Sequence, residues 1–455
     1  MIKRTLTLYG CFAGFLIIQA GLIFSIGFIP DISILLFLAL INGLLLLVLI
    51  KKDLTGLVGL VVAILPFSDA IGNIEIGIIT FYSFTLGILL LNIIAIPKIF
   101  RTLLLGKVSP TDKWLLMLSL SYLISTLSAN NVVESGHLAF NAIFVPILTY
   151  IAMHYLVRNE QEWQKVFVMF LISIILFSVV VTAEFIVVQK RVSVLNMQYI
   201  SAATLFAVPL VSLISLKLWR RWYWLVGYIL LLAGFFATLS RMYMVVLLFT
   251  PFIYVGIRKG FSLHILVIFL ASTLSLTLLL ASAPELVKHE QYFKEENNTI
   301  DRVINIENWK RSLFVRASVF REGLNIFADH PLIGVGLRKG ELMITQHNFN
   351  VEWLEYGGIL GYLLYAGAFI TLFRRARVLA RSDRYIATNL TLVIVILANS
   401  STNGLMHGVM PIVIMLLMGL TEARIAWQRV APDKTSNKIG NLVMKPTSSP
   451  SVPIA

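Results

Sequence analysis

Long apolar runs separated by short polar segments fill almost the whole chain. An α-helix needs about 17 to 25 mainly apolar residues to cross about 30 Å of hydrocarbon, and runs of this length recur from one end to the other. The strands of a membrane barrel would be shorter and would alternate in polarity. The pattern therefore predicts a bundle of membrane helices, with spans at 8–28, 32–50, 54–70, 76–97, 114–130, 135–156, 163–187, 198–216, 222–239, 241–257, 261–282, 350–373, 385–404 and 409–427.

The number of spans is predicted to be about twelve to fourteen, because two parts of the pattern are ambiguous. The third run contains Pro66 and Asp69, and two other runs meet at Ser240 without an intervening loop. Four regions follow: spans one to eleven in 1–282, a polar excursion at 283–349, the last three spans in 350–428, and a tail at 429–455. The tail is rich in Ser, Pro, Lys and Asn, so we expect it to be disordered and cytoplasmic.

Composition agrees with an all-α polytopic membrane protein. Of 455 residues, 58% are hydrophobic and only 13% are charged, which is more apolar than a soluble core requires. The net charge of +14 comes from Lys and Arg in short loops on one side of the predicted membrane, such as 51–52, 258–259 and 374–384. By the positive-inside rule these loops are cytoplasmic. Both termini are then cytoplasmic, and the excursion lies outside.

The charge distribution and the motifs exclude several classes of function. The excursion holds nine Lys and Arg against nine Asp and Glu, whereas a nucleic-acid surface would be strongly basic. The glycines at 334, 336 and 340 miss the G-x-G-x-x-G spacing of a dinucleotide site. The sequence has no H-E-x-x-H, paired-cysteine or aspartate-rich motif. We therefore expect no metal, no cofactor and no nucleic-acid partner.

A helix is predicted at about 312–329 within the excursion, and it ends before Pro331. Its apolar residues form one stripe at helical spacing, and Arg316 lies in the middle of that stripe one turn before Phe320. Two explanations fit this position. The arginine either extends to the lipid headgroups or faces a cleft, where its planar fork of donors binds phosphate.

Two further residues are candidates for chemistry. Arg241 lies where two apolar runs meet, so it either faces a partner or watery cavity or anchors the helix at the interface. His347 precedes the span at 350–373, and its neutral imidazole has the basicity to take a proton from a hydroxyl, although lone histidines are more often structural. Glu352 and Glu355 begin that span, where the positive end of the helix dipole is enough to explain them.

In order and spacing, these residues resemble the outer-loop signature of the bacterial O-antigen ligase and polymerase family of Wzy-type membrane glycosyltransferases. The matching motifs are Arg316-Ala317-Ser318-Val319-Phe320, His330-Pro331-Leu332-Ile333-Gly334-Val335-Gly336, His347-Asn348 and, at the end of an earlier span, Ser240-Arg241. Many relatives carry tryptophan at the position of Phe320, so an aromatic residue is kept. The close likeness covers the loop and its flanking helices, about a quarter of the chain.

The resemblance implies a GT-C-like, lipid-phosphate-sugar-dependent glycosyltransferase in the cytoplasmic membrane. It would transfer a glycan from undecaprenyl diphosphate, at the outer face, to a lipid A core or to another lipid-linked glycan. Arg241 and Arg316 would hold the diphosphate, and His347 would activate or position the acceptor hydroxyl. The other predicted substrate contacts are His330, Arg321, Asn348 and Arg338.

The chemistry of such a donor requires no metal, because the diphosphate is already a good leaving group and two arginines stabilise its developing charge. Direct attack by the acceptor predicts inversion at the anomeric carbon. Ligase and polymerase differ only in the acceptor, and both remain open. Two other classes are alternatives: a transporter or flippase of lipid-linked oligosaccharide, with its essential charges near the midplane, and a structural scaffold, in which Arg316 and His347 would be replaceable.

Overall fold

The computed structural model describes residues 54–68, 73–76, 79–105, 108–129, 131–188, 199–216, 222–238, 240–281, 319–337, 348–403 and 409–430. In these ranges the chain is a bundle of helices. They are α1 (Leu54–Ile64), α2 (Ser83–Leu104), α3 (Pro110–Leu127), α4 (Val132–Ala139), α5 (Val145–Leu156), α6 (Glu160–Val188), α7 (Tyr199–Ser215), α8 (Trp222–Ala237), α9 (Arg241–Arg258), α10 (Ser262–Ala281), α11 (319–329), α12 (Phe349–Ala376), α13 (Leu379–Ser382), α14 (Arg384–Asn403) and α15 (Met410–Val430).

Every predicted span from residue 54 onwards has a helix, and the two runs that meet at Ser240 are separate helices, α8 and α9. A π-helical turn, Phe140–Phe144, joins α4 to α5. Five segments are long and apolar enough to cross a membrane: Phe84–Thr102, Val132–Leu156, Glu160–Val187, Phe349–Ala376 and Met410–Gln428. The prediction of an all-α polytopic membrane protein is confirmed. The predicted spans 8–28 and 32–50 and the tail lie outside the described residues.

The predicted span 76–97 begins too early. An antiparallel hairpin, β1 (Asn73–Ile76) and β2 (Ile79–Tyr82), precedes α2, and Asn73 lies opposite Tyr82. Its isoleucine, threonine and aromatic residues favour strands. A short apolar run of this kind cannot be assigned to helix or strand by hydropathy alone, which explains the error.

Antiparallel packing gives the described bundle two distinct ends. At one end of α9, the Arg258 guanidinium donates to the Ala380 carbonyl of α13, just before α14. Near the other end of α9, Tyr243 hydrogen-bonds Asn399, in the last turns of α14. The first of these, the basic end, holds the connections α5–α6, α9–α10 and α12–α14, with the Lys and Arg that the sequence assigned to one side. The opposite end, the loop end, holds the hairpin, the segment 330–337 and the start of α12.

Buried polar groups tie the helices together at the basic end. The Arg424 guanidinium forms ion pairs with Asp383 and with Glu160, and its Nη2 lies 3.2 Å from the Glu160 Oε1. The same guanidinium lies over the Tyr385 ring, 4.5 Å from the ring centroid. The fully buried Glu422 carboxylate accepts from Arg375 at 2.7 Å. These contacts link α6, α12, α14 and α15, so this end of the bundle is fixed by charge as well as by packing.

Asp112, just before the predicted span 114–130, joins α3 to α5 at the same end. Its carboxylate accepts hydrogen bonds from the Tyr150 and Tyr155 hydroxyls at 2.6 and 2.8 Å, and it lies 3.2 Å from His154 Nδ1. Burial by itself would raise the pKa of Asp112, but the contacts with His154 and the two tyrosines outweigh it and lower the pKa to about 2. Asp112 is therefore ionised at neutral pH and holds these side chains in place.

Candidate active site at the loop end

Helix α12 is broken at Gly358, where φ is 61° and ψ is −168°. On either side of the break, the Tyr362 hydroxyl donates to Asn350 Oδ1 at 3.1 Å, and the Trp353 and Tyr365 rings stack with centroids 3.7 Å apart. Twelve residues of straight helix would separate each pair by about 18 Å along the axis. The chain therefore bends sharply within the predicted span 350–373, and a short helix, 349–357, precedes the long segment 359–376.

The segment 331–336, which we call the inserted loop, fills this break. A continuous helix would pair Ile359 N–H with the Glu355 carbonyl and Leu360 N–H with the Tyr356 carbonyl. Instead the Glu355 carbonyl accepts from Val335 N–H at 3.0 Å, and the Tyr356 carbonyl accepts from Gly336 N–H at 3.1 Å. The Ile359 N–H donates to the Pro331 carbonyl at 2.9 Å, and the Leu360 N–H donates to the Leu332 carbonyl at 3.2 Å. All four backbone groups freed by the break are satisfied, as a low-dielectric surrounding requires.

Glycines let the two backbones approach this closely. Gly334 and Gly336 have φ of 69° and 73°, which side chains rarely adopt. A Cβ on Gly334 would lie 2.5 Å from the Tyr356 carbonyl, and one on Gly336 would lie 2.7 Å from Ser135 Oγ. Ser125 adds a 2.7 Å hydrogen bond to the Tyr356 carbonyl. The glycines of the His330–Gly336 motif thus serve backbone docking.

Asn348 caps the short helix and anchors it. Its Oδ1 accepts from the backbone N–H groups of Asn350 and Val351, at 2.8 and 3.3 Å, and its Nδ2 donates to the Ser401 carbonyl of α14 at 2.7 Å. Asn348 is 2% exposed. The start of α12 is therefore fixed to the last turns of α14, and the predicted contact between Asn348 and substrate stays a prediction.

Two carboxylates of the short helix are buried. Glu352 is 0% exposed and Glu355 is 3% exposed. Carboxylates that only complement a helix dipole are ordinarily solvated, so the dipole does not account for these two. Glu352 interacts electrostatically with the phenols of Tyr122, from α3, and Tyr365.

The importance of Tyr122 was not apparent from the sequence. Its ring contacts the edge of Trp353 with centroids 5.4 Å apart, and a Cβ on Gly357 would lie 2.8 Å from its hydroxyl. Nothing near Tyr122 in the sequence marks it, because its partners lie more than two hundred residues away. Two acids three residues apart in an apolar run were the available signal for Glu352 and Glu355.

The start of α9 lies at the same end of α14 as the start of α12. Arg241 is the first residue of α9, and Ser240 precedes it without a side-chain capping hydrogen bond. Tyr243, half a turn further on, bonds Asn399 near the end of α14, and the same end receives Asn348 at Ser401. The starts of α9 and α12 therefore both lie beside the last turns of α14, at the loop end.

Helix α11 packs against the short helix. Phe320 is 1% exposed and lies against Val351 with Leu324 beside it, and Gly323 is buried, as the predicted stripe requires. Arg321 is half-buried, whereas His330 is exposed. The predicted site residues Arg316, Arg338 and His347 lie outside the described residues, and the structure describes only the backbone of Arg241.

The chain is thus a polytopic membrane protein in which one helix, α12, is broken near its start, filled by the inserted loop and lined by two buried acids. These features make the loop end its candidate site. The family model described as O-antigen ligase matches residues 226–366, from α8 into α12. This match supports the predicted resemblance to the O-antigen ligase and polymerase family, and it covers about a third of the chain. A comparison with curated proteins found no match.

Proposed function

We propose that the protein transfers a glycan from undecaprenyl diphosphate to an acceptor hydroxyl at the outer face of the cytoplasmic membrane, as an O-antigen ligase or a surface-polysaccharide polymerase. The observation that carries this proposal is the match at 226–366, because it covers the start of α9, the inserted loop and the short helix. Arg241, Arg316 and His347 all fall inside it.

The proposed roles are those that the family resemblance implies, and the placement of neighbouring residues supports them. Arg241 and Arg316 bind the diphosphate, and His347 activates or positions the acceptor hydroxyl. Tyr243 of α9 and Asn348, the neighbour of His347, each bond to the last turns of α14, which supports a shared site. Phe320 contacts the short helix, and helical spacing assigns Arg316 to the same stripe one turn earlier.

The proposed reaction is a single displacement. The acceptor oxygen attacks the anomeric carbon, the bond to the diphosphate breaks with its electron pair on the leaving oxygen, and the hydroxyl proton passes to His347. Guanidinium groups stabilise the charge that develops on the leaving group. One displacement predicts inversion of the anomeric configuration.

The proposed orientation places the basic end in the cytoplasm and the loop end outside. The support is the concentration of Lys and Arg at the end remote from the candidate site, as the positive-inside rule requires. Both termini are then cytoplasmic.

Reconstitution in vesicles with a defined undecaprenyl-diphosphate glycan tests the function. One sample receives a lipid A core and another receives only more donor. Extension of the first identifies a ligase and extension of the second a polymerase, and NMR of the new linkage should show the inverted anomer. Transbilayer movement of labelled donor without a new glycosidic bond would instead identify a transporter, and a retained anomer would contradict the single displacement.

Metal chelation should leave the rate of transfer unchanged, since the two arginines supply the positive charge that a metal would otherwise provide. The measurement is turnover in the same vesicles with and without EDTA, after dialysis against a chelating resin. Loss of activity that added Mg²⁺ or Mn²⁺ restores would contradict the metal-free mechanism.

A further inference from the structure

Two arginines join the turn between α9 and α10 to α13, at the basic end. The Arg381 guanidinium lies against the backbone of Gly260, where a Cβ would be 2.3 Å from Arg381 Nε. Gly260 has a φ of 92°, which side chains rarely adopt. In the other direction, the Arg258 guanidinium donates to the Ala380 carbonyl at 3.4 Å. Lys259, between Arg258 and Gly260 in the chain, adds a third cation to the turn.

A fourth cation lies beside these three, and no acid balances the group. Arg384, the first residue of α14, and Arg258 both act electrostatically on the Tyr254 phenol, so both lie near it. We call Arg258, Lys259, Arg381 and Arg384 the basic cluster. In the part of the chain that the structure describes, none of its members forms an ion pair with a carboxylate. The acid next to it in the chain, Asp383, is paired with Arg424. The positive charge of the basic cluster is therefore left for another partner.

The start of α10 adds polar groups that also lack a partner. The Phe261 carbonyl accepts from Ile265 N–H at 2.9 Å, so the N–H groups of residues 262–264 have no partner within the helix. Ser262 is 0% exposed, and its hydroxyl has no hydrogen-bond partner among the described residues. Because helical side chains lean toward the N-terminus, this hydroxyl is directed toward the turn at Gly260, where Arg381 lies. Donors at a helix N-terminus favour an anion with several oxygens, such as phosphate.

Exposed apolar side chains flank the basic cluster. Phe261 is 54% exposed, Phe252 of α9 is 75% exposed, and Val378, just before α13, is 62% exposed. Aromatic rings at the end of a membrane helix lie at the level of the lipid headgroups, next to the acyl chains. A free anion would use only the cations and the N–H groups. A ligand that also uses the apolar side chains carries hydrocarbon.

We propose that the basic cluster and the start of α10 form a binding site for the headgroup phosphate of an anionic phospholipid. Arg258 and Arg381 form charge-assisted hydrogen bonds with the phosphate oxygens, and the Ser262 hydroxyl donates at the base of the site. The acyl chains lie along Phe261 and Val378. Basic clusters at the membrane surface attract anionic lipids, and the orientation proposed above places this cluster in the cytoplasmic leaflet. The site is at the end remote from the loop end, so lipid binding does not depend on glycan transfer.

Lipid binding is measured by native mass spectrometry of the full chain in detergent, titrated with phosphatidylglycerol or with phosphatidylcholine of the same acyl chains. We expect phosphatidylglycerol to bind at least about tenfold more tightly. The double variant Lys259→Gln with Arg381→Gln should raise the Kd for phosphatidylglycerol by about 10- to 30-fold, since each cation near the surface contributes separately. Equal binding of the two lipids by the wild type, or an unchanged Kd in the double variant, would overturn the proposal.

The matched control is the double variant Arg101→Gln with Lys113→Gln. It also removes one arginine and one lysine, and both are exposed at the basic end, on α2 and α3. Its Kd for phosphatidylglycerol should equal that of the wild type. An equal weakening in this control would mean that the whole basic end attracts anionic lipid, and no site at α10 would remain.

Two further measurements test the geometry and the source of the phosphate. Gly260→Ala keeps every charge, but its Cβ displaces the Arg381 guanidinium, so we expect weaker binding of phosphatidylglycerol. Wild-type affinity in folded Gly260→Ala would contradict the role of Arg381, and if this variant does not fold, the Lys259 and Arg381 double variant decides. Glycerol phosphate, which has the headgroup without the chains, should not displace the lipid at equal concentration. Displacement would identify free phosphate as the ligand and overturn the assignment to a lipid.

Discussion

Arg316→Ala and Arg241→Ala should each lower turnover by about a thousand-fold or more while the protein still inserts into the membrane. Both guanidinium groups are proposed to stabilise charge on the departing diphosphate, and losing one such group typically costs that much in phosphoryl and acyl transfer. The measurement is glycan transfer in vesicles, normalised to folded protein by size-exclusion chromatography. Lysine at either position should recover only part of the rate, because it lacks the planar fork.

Arg377→Ala is the control for these variants. Arg377 is exposed at the basic end, so its replacement removes the same charge far from the loop end and should leave turnover unchanged. Full activity in both Arg316→Ala and Arg241→Ala would mean that the diphosphate is bound elsewhere.

Gly358→Val should disrupt the loop end. A Cβ at Gly358 would lie 2.4 Å from the carbonyl carbon and oxygen of Leu332, and its φ and ψ belong to a region that only glycine commonly occupies. Strain of about 1 to 3 kcal/mol would add to the weakening of four backbone hydrogen bonds worth about 1 kcal/mol each. We expect a loss of about 3 kcal/mol or more, measured as a lower melting temperature in detergent and faster proteolysis.

Gly361→Ala is the matched comparison, since it lies just after the break in an ordinary helical conformation. Its Cβ would lie 3.4 Å from the Tyr122 ring, which is normal contact. Its effect on the melting temperature should be small. If Gly358→Val melts at the same temperature as Gly361→Ala, the break at Gly358 does not depend on glycine.

Hydropathy predicted the helices well because the signal of a membrane-length run is summed over about twenty residues. The two runs that meet at Ser240 are an example, since each forms a separate helix. It failed at 73–82, where the same apolar composition serves two short strands. It also missed the break in α12. The backbone partners of Ile359 and Leu360 lie more than twenty residues earlier, in the inserted loop, so no local pattern reports them.

The candidate site was predictable to the extent that it rests on residue types at fixed spacing. The apolar stripe that Phe320 continues is one case, and its described half does face the bundle. The burial of Glu352 was not predictable, because an acid in the first turn of a helix is usually a surface residue. The role of Gly334 and Gly336 required the backbone of α12 to be seen beside them.

The inserted loop also bears on biosynthesis. It precedes α12 in the chain, so it is synthesised before its partners. An unpaired backbone group costs several kcal/mol in hydrocarbon. In an unbroken helix, however, the Ile359 N–H pairs with the Glu355 carbonyl and the Leu360 N–H pairs with the Tyr356 carbonyl, so none of these groups is left unpaired. The segment is thus able to enter the bilayer as a continuous helix and exchange these hydrogen bonds for those of the loop afterwards. Such an exchange would let the loop end form after the segment has entered the membrane.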